Sequence, residues 1–293
     1  MIRLSTRSRV HDLAELSKLR IQVFALGAAM VAFLLAPGSS LDLSILLPLL
    51  TGLFLVCSGA AILNQVAEVR TDALMKRTCN RPLPAQRMGR GTALGIGLAS
   101  SATGIAALAF WVNPLTAALA LLMVVLYDLV YTPLKRLTSF NTVLGAVPGA
   151  MPVLLGWAAA TGSLAATSWI LFGIVFLWQF PHFLAIAWLH REDYPRAGLK
   201  MLPVVDLGMT GRQAAVYALA LVPVSLLPAT AGGAGPLYFF GALALSVGFL
   251  AFALRFCLTG DHPGAQSLLR ASLAYLPLIL VLLLVDTARA AGS

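Results

Sequence analysis

Residues 43–63 read LSILLPLLTGLFLVCSGAAIL, twenty-one positions without a charge, and residues 64–72 continue as NQVAEVRTD. Crossing the hydrocarbon of a bilayer takes about 20 apolar residues of helix, so the first part predicts a transmembrane helix. Its apolar residues run unbroken instead of alternating with polar ones, which does not suit a strand of a membrane barrel. The second part sets Asn64, Glu68 and Asp72 four positions apart at one end of that helix. Steps of four keep side chains on one helix face, each advancing about 6 Å.

Eight more apolar runs flank this one: Ile21–Ala36 before it, then Ala93–Val112, Leu115–Tyr131, Asn141–Ala160, Trp169–Leu189, Ala214–Ala229, Leu237–Phe256 and Leu268–Val285. Several are separated by turn-forming residues, among them Pro37-Gly38-Ser39-Ser40, Asn113-Pro114, Thr161-Gly162-Ser163 and Thr230-Ala231-Gly232-Gly233. Of the 293 residues 59% are apolar and 11% charged, with a mean hydropathy of +0.89. Soluble domains run near 45–50% apolar and about 25% charged, so a soluble enzyme, a disordered chain and a coiled coil are excluded. The expected fold is all-α, a polytopic membrane bundle of nine transmembrane helices. Residues 1–20 have no apolar core of the kind a cleavable secretory signal carries and read as a cytoplasmic N-terminal tail. Residues 21–290 read as one transmembrane domain.

The net charge is +9. In a membrane protein such an excess speaks first to topology, because Lys and Arg collect in cytoplasmic loops. Nineteen of the twenty bases fall in the N-terminal tail or after spans 2, 4, 6 and 8, and only Arg289 falls opposite. This predicts a cytoplasmic N-terminus, a C-terminus on the other side and an odd number of spans. The three cysteines make no disulfide framework. Trp111, Trp157, Trp169 and Trp188 lie near span ends, where interfacial anchoring is expected.

Topology does not require acids on the basic face, yet nine of eleven lie there: Asp12, Glu15, Glu68, Asp72, Asp128, Glu192, Asp193, Asp206 and Asp261. Two groups have spacing suited to chemistry. Asn64, Glu68 and Asp72 form a row of oxygen ligands suited to Mg²⁺, which binds one or two carboxylates and shares its other positions with waters and substrate phosphates. Lys76, Arg77 and Arg81 follow directly, as a site for a metal–diphosphate complex needs. A solvated helix end, with Asp72 paired to Lys76 at i+4, is the competing reading. The second group is His190-Arg191-Glu192-Asp193-Tyr194-Pro195-Arg196 after span 6. Two such clusters in one bundle would let metal ions bind opposite ends of one diphosphate.

Between them in sequence lies Tyr131-Thr132-Pro133-Leu134-Lys135-Arg136, with Asp128 one turn earlier. Pro133 is expected to stop or kink span 4, leaving Lys135 and Arg136 free for phosphate oxygens. Positive-inside anchoring would explain the same two bases. His182, in Trp178-Gln179-Phe180-Pro181-His182-Phe183, is polar inside a span. It either bonds carbonyls freed by Pro181 or faces a bound substrate.

These motifs resemble the UbiA-type intramembrane prenyltransferase superfamily: a span ending in Asn-x-x-x-Glu/Asp-x-x-x-Asp, a Tyr-x-x-x-Lys element after span 4, and a second acidic motif after span 6. Several strings resemble its haem-farnesylating branch: Met75-Lys76-Arg77-Thr78, Asn80-Arg81-Pro82-Leu83, Gly156–Gly162, Trp178–Phe183, Asp193-Tyr194, Ala197-Gly198 and Met201-Leu202-Pro203-Val204. The match in motifs spans about Asn64 to Val205. The resemblance implies nine helices, Mg²⁺ as cofactor, and farnesyl diphosphate and haem b as substrates within the lipid bilayer of a bacterial inner membrane, near its cytoplasmic face. It further implies contact with a downstream haem-modifying enzyme, and no nucleic-acid partner. Carried over residue by residue, it makes Asn64, Glu68, Asp72, Glu192 and Asp193 the metal ligands. Lys76, Arg77, Arg81, Tyr131, Lys135 and Arg136 become the diphosphate contacts, and His182 a contact to haem or to the added water. Glu68 stands where many members have Asp, and the second motif is poorer in aspartate than in quinone-pathway members. A prenyltransferase acting on an aromatic quinone precursor is the alternative, against which the Trp178–Phe183 and Met201–Val204 strings weigh. A secondary transporter would show polar or broken helices at mid-membrane, and here the charges crowd one face.

Overall fold

The computed structural model describes residues 9–38 and 41–291; Ser39 and Ser40 of the first separator, and Arg3 and Arg7 among the bases counted in the N-terminal tail, lie outside these. The helices are α1 (Arg9–Leu16), α2 (Leu19–Leu35), α3 (Leu43–Asp72), α4 (Arg90–Trp111) and α5 (Pro114–Val124). A π-helical stretch (Val125–Tyr131) joins α5 to α6 (Thr132–Leu134). Then come α7 (Asn141–Thr161), α8 (Ala166–Leu189), α9 (Asp193–Arg196), α10 (Leu202–Val205), α11 (Leu207–Thr230), α12 (Pro236–Thr259) and α13 (His262–Ala291). Among the described residues eight helices are long and apolar enough to cross a membrane. The ninth expected span, α2, has 17 residues and joins the count when taken with α1, from which it is bent by 57°.

Several helices outrun their apolar stretch on the side where the bases lie. α3 continues to Asp72, α11 begins at Leu207 and α13 at His262. Polar residues hold these extra turns. Asp206 accepts from the Met209 N–H at 2.8 Å and Asp261 from the Gly264 N–H at 2.7 Å, satisfying first-turn donors that have no helical partner. At the other end of the bundle Asp286 does the same for α12, accepting from the Gly235 and Tyr238 N–H groups.

The core lies in two lobes that share α2 and α7. One is built from α2, α7, α8, α11, α12 and α13; the other from α2, α3, α5 and α7 with Leu108 of α4. α3 and α4 pack along small residues. A Cβ at Gly104 would lie 2.7 Å from the Gly52 carbonyl oxygen and 2.9 Å from the Val56 nitrogen, so the two backbones touch where only glycine fits. Trp111 and Trp169 are exposed as interfacial anchors should be, but Trp157 and Trp188 are buried in the core. Their position near a span end does not decide which face of the helix they occupy.

Residues 9–16, read from sequence as part of a tail, form a helix docked on the bundle. Leu16 packs with Ile62, Val66, Leu83 and Ala93. Arg87 ties α1 to the 73–89 segment, donating to Asp12 at 2.9 Å, to Glu15 at 3.2 Å and to the Asn80 carbonyl at 2.9 Å.

Candidate active site

The first acidic motif keeps its expected register. Asn64 and Asp72 are each 1% exposed, and each ligand group in the row meets a different partner. Asn64 donates from Nδ2 to Thr132 Oγ1 at 2.9 Å and accepts at Oδ1 from Lys18 Nζ at 3.3 Å. Both carboxylate oxygens of Glu68 accept from Lys135 Nζ, at 2.8 and 3.1 Å. Asp72 Oδ2 accepts from Arg81 Nη1 at 2.8 Å, while its carbonyl accepts from Thr78 Oγ1 at 2.8 Å. Asp72 therefore pairs with Arg81 across a turn of the following segment and not with Lys76 along the helix.

The second acidic motif is brought to the first by one residue. Asp193 is buried and its Oδ1 accepts from the backbone N–H of Lys76 at 3.4 Å. Glu192, the preceding residue, is exposed. α9 begins at Asp193, and neighbouring helical positions diverge by about 100°. The structure thus does not bring Glu192 into the ligand set. Arg77 is exposed near His190, whose pKa lies below the usual histidine range through burial and then the Arg77 charge.

The Tyr131–Arg136 element divides likewise. Lys135 reaches Glu68, and its ammonium lies 4.5 Å from the Tyr131 ring centroid. Burial works against its charge, but Tyr131 and Glu68 outweigh it and hold the pKa above the usual lysine range. Arg136 turns away, donating to Thr71 Oγ1 at 3.2 Å and lining a cavity on the outer side of α3; it is not among the groups facing Glu68. The stop expected at Pro133 takes the form of the π-helical stretch just before it. The Thr132 N–H bonds the Tyr127 carbonyl, five residues back, and the Thr132 hydroxyl adds a second bond to the same oxygen at 2.9 Å. π turns often mark functional sites, and this one carries Tyr127, Asp128 and Tyr131. The Tyr131 ring rests on Gly145 of α7, where a Cβ would come within 2.6 Å of it.

Two groups gain weight that the sequence did not give them. Lys18, counted only toward topology, is the second of the two residues between α1 and α2 and adopts the left-handed conformation, φ 52°. That is uncommon for a non-glycine residue and often found where a side chain is aimed at a site. Burial, then Arg81 and Lys135, bring its pKa down to about 7. Asp128 has both carboxylate oxygens buried without a hydrogen-bond partner among the described residues. A buried carboxylate without a partner is costly, and a cation-binding position resolves the cost.

His182 lies seven residues, about 10 Å, before the end of α8. Its Nδ1 is 2.8 Å from Ser272 Oγ of α13, and the Ser272 hydroxyl donates to the Leu269 carbonyl at 2.6 Å. Serine has one hydroxyl proton. With that proton on the carbonyl, Oγ must accept from Nδ1–H, which leaves Nε2 with a free lone pair. Trp178 holds the pair in place, stacking on the imidazole at 5.1 Å and donating to the Ser272 carbonyl at 2.8 Å. Of the two readings of His182, bonding to carbonyls freed by Pro181 is therefore not the one observed.

The sequence profile of the UbiA prenyltransferase family matches residues 25–279. A protein named protoheme IX farnesyltransferase from Solibacter usitatus (strain Ellin6076) is 47% identical over 249 residues, covering 84% of this chain and 85% of that protein. Among solved structures, one described as digeranylgeranylglyceryl phosphate synthase superposes with a TM-score of 0.80 at 15% identity, covering 96% of this chain and 99% of the other. A UbiA homologue from Archaeoglobus fulgidus, bound to DMAPP and Mg²⁺, gives a TM-score of 0.69 at 14% identity over 93% of this chain and 99% of its own. At such identities the structural likeness concerns the fold.

Proposed function

The chain belongs to the UbiA prenyltransferase family, and on that footing we propose that it transfers the farnesyl group of farnesyl diphosphate to a vinyl group of haem b. The observation that carries the chemistry is the convergence of Asn64, Glu68, Asp72 and Asp193 with Lys18, Arg81 and Lys135. The acceptor rests on the 47% identical relative and on the histidine whose Nε2 is free within the bundle.

The donor set suits Mg²⁺: one amide and several carboxylate oxygens, with no sulfur. Asp128, buried without a partner, is the position that most needs a cation. Asn64, Glu68, Asp72, Asp128 and Asp193 would hold the metal, which when bound supplies positive charge against the leaving diphosphate. The chain's own cations do the rest. Lys135 and Arg81 reach the carboxylates through long flexible side chains and can turn to phosphate oxygens as these arrive. Lys18, neutral above about pH 7, gains its proton when the diphosphate brings negative charge beside it.

The bond between the farnesyl C1 and oxygen breaks with its electron pair leaving on the diphosphate. The allylic cation takes the π electrons of the vinyl group, forming the new carbon–carbon bond, and water then adds to the resulting cation with loss of a proton. Apolar walls keep water from the cation before the vinyl group meets it. His182 Nε2 serves to orient the porphyrin through its iron, Ser272 fixing the tautomer that makes this possible. The protein resides in a bacterial inner membrane, with the site toward the cytoplasm where the bases lie. A product this apolar favours handover to a downstream haem-modifying enzyme by contact within the bilayer.

Incubating the purified protein with haem b, farnesyl diphosphate and Mg²⁺ tests the reading. Mass spectrometry is expected to show a hydroxyethylfarnesyl haem. Prenylation of a phenolic acid without that product would assign the acceptor to the quinone-precursor class.

A further inference from the structure

A cavity of about 290 Å³ opens between α3, α4 and the segment after α6, lined by Val66, Ala67, Val69, Arg70, Arg90 and Arg136. It is separate from the diphosphate site. Val66 and Arg70 stand two positions either side of Glu68, which puts them about 160° away around α3. The three arginines also differ from the basic residues of the site in what they meet. Arg81 and Lys135 each hold a carboxylate and Lys18 the Asn64 amide oxygen. Arg70, Arg90 and Arg136 are exposed and have no carboxylate partner among the described residues.

Two further features make this cavity a place for an anion with an apolar tail. Arg90 opens α4, whose N-cap, Gly89, supplies no side-chain cap. The first-turn N–H groups therefore add their partial positive charge to the guanidiniums, and a Cβ at Gly91 would meet nothing within 4 Å. Below Arg90, at steps of four along the same face of α4, lie Leu94 and Leu98, 42% and 54% exposed. The cavity floor is Val66, Ala67 and Val69. Cations thus lie at the rim where the helices leave the bilayer, and an apolar track runs from them into it.

We propose that this cavity is a second anion site, distinct from the diphosphate site, which holds the phosphoryl headgroup of an anionic membrane phospholipid with an acyl chain along Leu94 and Leu98. The arginines give bidentate contacts to phosphate oxygens, and the leucine track selects a lipid over a free phosphate.

The test is native mass spectrometry of the full chain titrated with phosphatidylglycerol or with phosphatidylcholine. Phosphatidylglycerol is expected to remain bound, and Arg70→Gln/Arg90→Gln to bind it roughly 30-fold more weakly through loss of two basic side chains at an anionic surface. Arg70→Lys/Arg90→Lys, keeping the charge, retains most of the binding. The glutamine variant keeps the wild-type KM for farnesyl diphosphate in zwitterionic lipid. Equal retention of both lipids, equal retention by wild type and glutamine variant, displacement by inorganic phosphate, or a raised KM in the variant would each overturn the proposal. A folding defect in the double variant would show as a lower melting midpoint before lipid is added, and the single Arg70→Gln variant is then read against the same outcomes.

Discussion

Lys18 and Asp72 carry the sharpest expectations at the scale of single residues. Because the folded pKa of Lys18, about 7, lies below its ordinary 10.5, charging it costs the fold. The cost is full below pH 7 and gone above 10.5, so stability owed to this residue rises with pH across that window. Binding a diphosphate reverses the balance. At pH 8 we expect uptake of roughly one proton per farnesyl diphosphate bound, read by calorimetry in two buffers of different ionisation enthalpy. Lys18→Met should abolish the uptake; an unchanged value would remove Lys18 from the site. For Asp72→Ala the expectation is loss of turnover by about 100-fold or more with membrane insertion intact, measured by product formation and protease resistance. Normal turnover would sink the metal assignment. The acids also show what spacing can reveal. Asn64, Glu68 and Asp72 drew notice as a row at steps of four at a span end, and Asp193 as part of a second acidic cluster after span 6. Asp42, Asp206, Asp261 and Asp286 instead accept from N–H groups at helix starts. Lys18 and Ser272 gave no local signal, since their significance comes from partners 46 and 90 residues away.

Among the elements, the α3–α4 pair depends on backbone contact at Gly52, Gly59, Gly97 and Gly104. Gly104→Val inserts three carbons against the Gly52 carbonyl and the Val56 nitrogen. It should destabilise the bundle by about 2 kcal/mol, read as a lowered melting midpoint in detergent micelles, and an unchanged midpoint would mean that the seam is not close-packed. The spans themselves were legible to within a few residues, because unbroken apolar runs of bilayer length have one structural solution. Their extensions were not, being fixed by caps and by contacts with segments distant in sequence. The π-helical stretch also escaped the sequence: Pro133 announces a missing donor, but not that the preceding turn widens to absorb it. Residues 9–16 form a helix whose docking depends on Arg87, 75 residues from Asp12.

At the scale of the whole molecule the expectation concerns sidedness. Cys79 lies beside Lys76 in the segment that carries the basic residues of the site, with Sγ 3.5 Å from the Lys76 carbonyl oxygen, whereas Cys57 and Cys257 belong to α3 and α12. A membrane-impermeant maleimide should label Cys79 in inverted vesicles and not in right-side-out ones; the reverse would place the site on the opposite side of the membrane. The bundle's general architecture followed from hydropathy, and the expected orientation from the distribution of the bases. The mutual pairing of Glu68 with Lys135 and Asp72 with Arg81 bears on how such a protein is made. A bundle that neutralises Glu68 and Asp72 with its own side chains leaves to an outside ion chiefly the unpartnered Asp128, unlike domains in which metal binding supplies the folding energy. Biogenesis thereby depends only weakly on divalent-ion supply: the newly inserted chain can hold its bundle together before the ion that Asp128 calls for arrives with the substrate.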